Sequence, residues 1–137
     1  MLSLCLWALV ASQALPAAAA AKPQLHAVPA TGLHRGSVVE VSGSGFRPRD
    51  QVFLVECLAS ATGQGQCDIS TATPATISAK GVLPRTRFKV VTGKVGSGTC
   101  GTTTANRGRC VINAGNAKGG DTATVAITFA APHRATK

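Results

Sequence analysis

The chain has 137 residues, with 14 Lys and Arg against 5 Asp and Glu, a formal net charge of +9, and 45% hydrophobic residues. This length fits one domain with a modest core, and its single long apolar run, too short to cross a bilayer, excludes stable membrane insertion. A surface this basic favours DNA and other polyanions, including anionic lipid and acidic cell-wall polymers, and charge alone does not choose among them.

The chain opens on that run, Met1 to Val10, followed by Leu15-Pro16 and the alanines Ala17 to Ala21. An apolar stretch ending in A-x-A sites just before Lys22 has the layout of a secretory signal peptide cut near Ala20 or Ala21. Residues 1–21 are therefore expected to be a signal, and the product is expected outside the cell as a monomer. Every charged residue follows the signal, so the domain keeps the whole +9.

After Lys22, runs of Val, Thr, Ile and Phe alternate with Gly, Pro, Ser and Asn clusters, and no window has a 3.6-residue apolar period. Strands are predicted near Leu25–Val28, Ser37–Ser42, Gln51–Cys57, Thr76–Ser78, Thr86–Val91, Arg109–Asn113 and Thr122–Phe129. Turns are predicted at Thr31-Gly32, Gly43-Ser44-Gly45, Arg47-Pro48-Arg49-Asp50, Lys80-Gly81, Thr92-Gly93 and Gly119-Gly120. Seven short strands of this kind imply an all-β, immunoglobulin-like two-sheet sandwich over residues 22–129. Val39 and Val41, with Val125 and Ile127, have the period-two placement of core residues. Residues 130–137 read as a basic tail.

Cys5 leaves with the signal, and Cys57, Cys67, Cys100 and Cys110 remain. An even count in a small exported domain implies two disulfides, for which three pairings exist. Each local pair would close a nine-residue gap. Zinc prefers gaps of two to four between ligands, and no histidine sits near these cysteines, so no metal is expected.

Gly96-Ser97-Gly98-Thr99-Cys100-Gly101 spells G-x-G-x-x-G, with Asp121 twenty residues on. A dinucleotide site needs a strand before this motif and a helix after it, and Thr102-Thr103-Thr104-Ala105-Asn106 is a poor helix start. It reads as a loop. His26, His34 and His133 are scattered, the five carboxylates form no pair, no G-x-S-x-G is present, and bridged cysteines are not nucleophiles. No catalytic residue and no enzymatic activity are expected. Arg85, Arg87 and Lys89 alternate with Thr86, Phe88 and Val90, which would set three cations about 7 Å apart on one strand face. Arg107 and Arg109 lie between Cys100 and Cys110. These five are the candidate polyanion contacts. No Trp or Tyr remains after the signal, so a stacking platform for single strands is poorly supplied.

Val28-Pro29-Ala30-Thr31-Gly32-Leu33, then Gly36-Ser37-Val38-Val39-Glu40-Val41-Ser42-Gly43-Ser44-Gly45, resembles the opening of the neocarzinostatin family, the enediyne antibiotic apoproteins. The gap from Cys57 to Cys67, with Thr62-Gly63 inside it, and the closing Val125-Ala126-Ile127-Thr128-Phe129 fit the same pattern. The resemblance implies a seven-stranded sandwich extended by β-ribbons, with a cleft for a small hydrophobic or enediyne-like ligand and a link to DNA and antimicrobial action. It also implies the pairing: Cys57–Cys67 at the cleft floor and Cys100–Cys110 bracing a side loop. Carried over residue by residue, the cleft would comprise Phe53, Val55, Cys57, Ala59, Gly65, Cys67, Ala72 and Gly115.

The departures from the family pattern fall on those positions. Ala59 and Ala72 stand where aromatics are expected, Gly65 where a leucine is, and Val55 where a glycine opens the cleft. The ribbon Thr92–Gly98 carries no ring. Aromatic contacts supply about 0.5–1.5 kcal/mol per pair beyond burial, so a smaller or more weakly held ligand is expected. A cleft plugged by Phe53 and Val55 would instead favour a cationic module that binds anionic cell-envelope polymers and carries no ligand.

Overall fold

Alternation along the strands decides what each face buries. In β2 (Val38–Ser44), Val39, Val41 and Gly43 are buried, while Val38, Glu40 and Ser44 are exposed. In β3 (Gln51–Leu58), Val52, Leu54 and Glu56 point inward. The computed structural model describes Ala14 and residues 21–133; the rest of the expected signal, with Cys5, and residues 134–137 of the expected tail lie outside the described residues.

The remaining strands are β1 (Gln24–Val28), β4 (Cys67–Thr76), β5 (Leu83–Lys89), β6 (Gly93–Val95), β7 (Gly98–Cys100), β8 (Cys110–Gly115) and β9 (Ala123–Ile127). All pair antiparallel, as a three-stranded sheet β1-β2-β5, a four-stranded sheet β4-β3-β8-β9 and a two-stranded ribbon β6-β7. The core lies between the two larger sheets: Val39, Val41, Leu83 and Phe88 from one, Val52, Leu54, Ile112 and Ile127 from the other. Val125 is half-buried and packs against this core. A parallel bridge from Leu33 to Phe129, both buried, ties the first loop to the end of the last strand.

The described residues are all-β, as the punctuation predicts, but with nine strands among them. The two additions, β6 and β7, form the ribbon. The strand expected at Thr76–Ser78 is instead β4, which ends at Thr76. Its sequence, Cys-Asp-Ile-Ser-Thr-Ala-Thr-Pro-Ala-Thr, is polar and contains Pro74, a residue that argues against a central strand. β4 is an edge strand, where one row of backbone groups is unpaired and a proline is tolerated.

Both disulfides join local pairs, Cys57–Cys67 and Cys100–Cys110. The G-x-G-x-x-G stretch is the β6–β7 hairpin and the turn after it, not a strand entering a helix. Gly96 at its tip has φ +55, and a Cβ there would lie 2.5 Å from the Gly65 carbonyl oxygen, so only glycine permits this approach. Asp121 holds a different post: both its carboxylate oxygens accept from the Arg47 N–H, at 3.0 and 2.9 Å.

Candidate functional site

The side chains of β3 that do not enter the core face outward across the four-stranded sheet. Phe53 and Val55 lie there beside Gly115 and Asn113 of β8, with which they are in register, and Asn113 in turn faces Thr124 of β9. The ladder between β3 and β4 breaks opposite Val55: Leu54 pairs with Thr73, but Glu56 pairs with Asp68. The intervening residues of β4 bulge out of the sheet. Thr71 secures the bulge, because its hydroxyl accepts from the Glu56 N–H at 3.2 Å and donates to the Asp68 carbonyl at 2.6 Å. Ile69 is thereby left 55% exposed.

Sheet, bulge and flanking loops enclose an open cleft of about 770 Å³. Phe53, Val55, Ile69, Ala72 and Cys67 supply apolar surface, while Asn113, Thr122, Thr124, Thr62 and Gln64 supply neutral polar groups. No residue lining it is ionisable, although the chain carries a net +9. Thr124 donates to Asn113 Oδ1 at 3.1 Å. One wall is the loop at Thr62-Gly63-Gln64, held by the Thr62 N–H donating to Gln66 Oε1 at 2.7 Å. The opposite rim is the turn after β8, where Asn116 Nδ2 donates to Asp50 Oδ2 at 2.8 Å. That bond is the main reason the Asp50 carboxyl is held below its usual range.

Five of the eight residues carried over from the resemblance line this cleft: Phe53, Val55, Cys67, Ala72 and Gly115. Cys57 is buried beneath it and reaches it only through its bond to Cys67. Ala59 and Gly65 do not line it. The strand ends at Leu58, and a turn closed by the Ala61 N–H donating to the Leu58 carbonyl carries Ala59 off the sheet face. There it borders a separate hollow of about 330 Å³ with Leu58, Ser60, Gly98, Thr99 and Arg109. Gly65 sits in a 3-10 turn (Gln64–Gln66) whose carbonyl accepts from the Ser97 N–H at 3.0 Å, so it faces the ribbon. Of the two alternatives, an open cleft or one plugged by Phe53 and Val55, the structure has the open one: both residues form part of its floor. Ile69, Asn113 and Thr124 were not read from the sequence. Asn113 and Thr124 were legible as outward positions of alternating strands, whereas Ile69 depends on the bulge.

The cations Arg85, Arg87 and Lys89 are all exposed on β5, an edge strand of the other sheet. Lys89 is in register with Val38 and Arg87 with Glu40; Arg85 Nη1 lies 3.9 Å from Glu40 Oε2, a solvent-exposed pair of little energetic weight. Arg107 and Arg109 are exposed in the loop between β7 and β8, so the five candidates occupy two different elements. His26, His34 and His133 are exposed.

Glu56 is the one buried charged residue among the described residues, with no exposed surface. Its Oε2 accepts from the Val91 N–H at 2.7 Å, and Oε1 lies 3.7 Å from Cys100 Sγ. Burial pushes its carboxyl from 4.5 up to about 7, against the opposing effect of the Val91 N–H and with a smaller push from Asp68. Cys100 and Cys110 are joined to each other, so these three groups do not make a metal site. No helix among the described residues is long and apolar enough to cross a membrane.

The profile of the neocarzinostatin family matches residues 25–129, nearly all of the described chain. The chain belongs to the neocarzinostatin family. It is 36% identical over 127 residues to the antitumor antibiotic C-1027 apoprotein of Streptomyces globisporus, covering 88% of this chain and 87% of that protein. It is 32% identical over 121 residues to macromomycin of Streptomyces macromomyceticus, covering 85% and 83%. The solved structure of macromomycin superposes with a TM-score of 0.60 at 29% identity, over 79% of this chain and 99% of that one. Apokedarcidin, determined in solution, gives 0.53 at 29% identity, over 80% and 99%. As a member of the neocarzinostatin family the protein is not an enzyme.

Proposed function

We propose that this protein is a secreted carrier that holds a small, uncharged, largely hydrophobic molecule in the cleft over β3, β4, β8 and β9. The observation that carries this reading is the cleft itself: about 770 Å³, open, and lined without a single ionisable group in a chain of net charge +9. Pockets of this size with an apolar floor and a few convergent polar groups are typical small-molecule sites. Asn113 and Thr124 already bond to each other, which leaves the Asn113 amide NH2 without an acceptor among the described residues and available to orient an occupant. Relatives named as an antibiotic apoprotein and as macromomycin support the same reading, with an enediyne-like chromophore as the ligand class. Export would follow from cleavage of residues 1–21, leaving the sandwich of residues 22–129 and a basic tail of residues 130–137, as a monomer.

The composition provides the test. After residue 21 there is no Trp and no Tyr, only four Phe and the disulfides, so the bare protein absorbs very weakly near 280 nm. Protein purified from its native producer is expected to carry a near-ultraviolet or visible band that co-elutes in gel filtration and is released by organic solvent. A spectroscopically bare native protein would overturn the carrier reading.

A second reading concerns the other sheet. The exposed row Arg85, Arg87 and Lys89 fits electrostatic attachment to DNA or to anionic polymers of the cell envelope, with the antimicrobial link the family resemblance implies. With Phe88 turned into the core and no aromatic residue on the cationic face, the attachment is expected to be sequence-blind and to weaken steeply with salt through counterion release. Two unrelated DNA duplexes should bind alike. Replacing Arg85, Arg87 and Lys89 together by Ser should make the slope of log K against log salt shallower by about 2 to 3. A strong sequence preference, or an affinity indifferent to salt, would contradict it.

A further inference from the structure

Glu56 occupies a position where an ionised carboxylate is poorly served. A carboxylate offers about four lone-pair sites, and here it receives one donor, the Val91 N–H at 2.7 Å. Its other oxygen faces Cys100 Sγ at 3.7 Å, a disulfide sulfur with no proton to give. The protonated acid needs less: its carbonyl oxygen accepts from Val91, and no net charge has to be solvated.

The groups around it do not relieve this. β4 brings Asp68, whose negative field acts in the same direction as burial. β5 ends on Lys89 and β6 carries Lys94, both exposed; Arg109, just before β8, is exposed as well. β7, β8 and β9 hold no ionisable side chain other than the bridged cysteines.

The two contacts of Glu56 are the two ends of the ribbon segment: Val91 precedes β6 and Cys100 closes β7. At the far end of that ribbon the Ser97 N–H donates to the Gly65 carbonyl at 3.0 Å, and Gly96 packs on the backbone of Gly65, Gln66 and Cys67. The same turn anchors the cleft wall, because Gln66 Oε1 holds the Thr62 N–H. A continuous line of contacts thus runs from Glu56 through the ribbon to the wall at Thr62-Gly63-Gln64.

We propose that Glu56 is a proton-operated catch that keeps the ribbon and the adjoining cleft wall closed when protonated and loosens them when ionised. As a statement about ligand retention this rests on the carrier reading of the cleft; as a statement about the ribbon it does not. Sign and range follow from a carboxyl at about 7 in the closed protein and near 4.5 once opened to water. The closed state binds the proton more tightly, so closure is fully favoured below about pH 4.5 and loses ground as pH rises through 7.

The test compares wild type with Glu56→Gln, which keeps an acceptor for Val91 but does not titrate, with both disulfides intact. Amide exchange by NMR, corrected for the intrinsic pH dependence, should show Val91 and Ser97 losing protection together, about tenfold between pH 6 and 8 in wild type and not at all in the variant. In wild type alone, the Glu56 carboxyl carbon shift should titrate with the same midpoint, which keeps the test open if the variant does not fold. A Glu56 carboxyl titrating below pH 5, an equal pH dependence in Glu56→Gln, or opening at Val91 with Ser97 unmoved would each overturn the catch. Nile red, a neutral dye, then reads the cleft: its dissociation should quicken between pH 6 and 8 in wild type only. A dye that binds neither protein counts against the carrier reading and leaves the amide result standing.

Discussion

Removing the Cys100–Cys110 bridge by Cys100→Ala and Cys110→Ala is expected to destabilise the protein more than removing Cys57–Cys67 in the same way. Both bridges span the same sequence separation, 10 residues. Loop-closure entropy therefore assigns each about 3 kcal/mol, and the difference must come from the folded state. Cys100 and Cys110 are both fully buried in the core cluster, whereas Cys67 is half-exposed at the cleft. Cys57 is buried as well but its partner is not, so truncating two packed sulfurs leaves a larger cavity than truncating one, a further penalty of about 1–2 kcal/mol. The cavity would also border Glu56 and admit water to it, so the gap between the variants should be wider at pH 5 than at pH 8, where hydrating the ionised carboxylate offsets part of the loss. Urea midpoints of the two double variants at both pH values check this. Equal midpoints would mean that burial of the second bridge adds nothing beyond chain closure.

Much of the fold was legible because it depends on local alternation. Val39, Val41 and Ile127 are buried where period two places them, and the turns at Gly45 and Gly81 have the positive φ that glycine permits. What escaped was set by tertiary context. β4 is a run of Ser, Thr and Ala broken by Pro74, stabilised by its place at a sheet edge rather than by any pattern of its own. The ribbon strands are three residues each, too short to carry a period. At the cleft, the residues that alternation alone assigns, Phe53 and Val55, are on its floor, while Ala59, just past the end of β3, and Gly65, inside the 3-10 turn, lie off it. Glu56 is the reverse case. Its inward placement follows from Val52 and Leu54, four and two residues earlier, yet its partners Val91 and Cys100 are 35 and 44 residues away.

The sharpest separation of cleft from surface comes from two glycines that the family resemblance treats alike. Gly115→Trp is expected to weaken binding of Nile red on the order of 100-fold, while Gly65→Trp leaves it unchanged. A Cβ on Gly115 would meet Thr122 Cγ2 at 3.5 Å and the Gly120 oxygen at 3.9 Å, ordinary contact distances, and Gly115 does not have a positive φ. The backbone therefore accepts a side chain there, and the indole projects into the cleft beside Phe53. Aromatic side chains cover about 150–250 Å². A ligand denied half of that area at about 25 cal/mol per Å² loses about 2–3 kcal/mol, on the order of 100-fold in affinity. Gly65 has open space around its Cβ position and lies outside the cleft, so an indole there is solvated and meets no ligand. Dye titrations, with thermal midpoints to confirm that both variants are folded, decide the matter. Full binding retained by Gly115→Trp would place the dye elsewhere on the protein, and an equal loss in Gly65→Trp would show that the site extends over the 3-10 turn toward the ribbon.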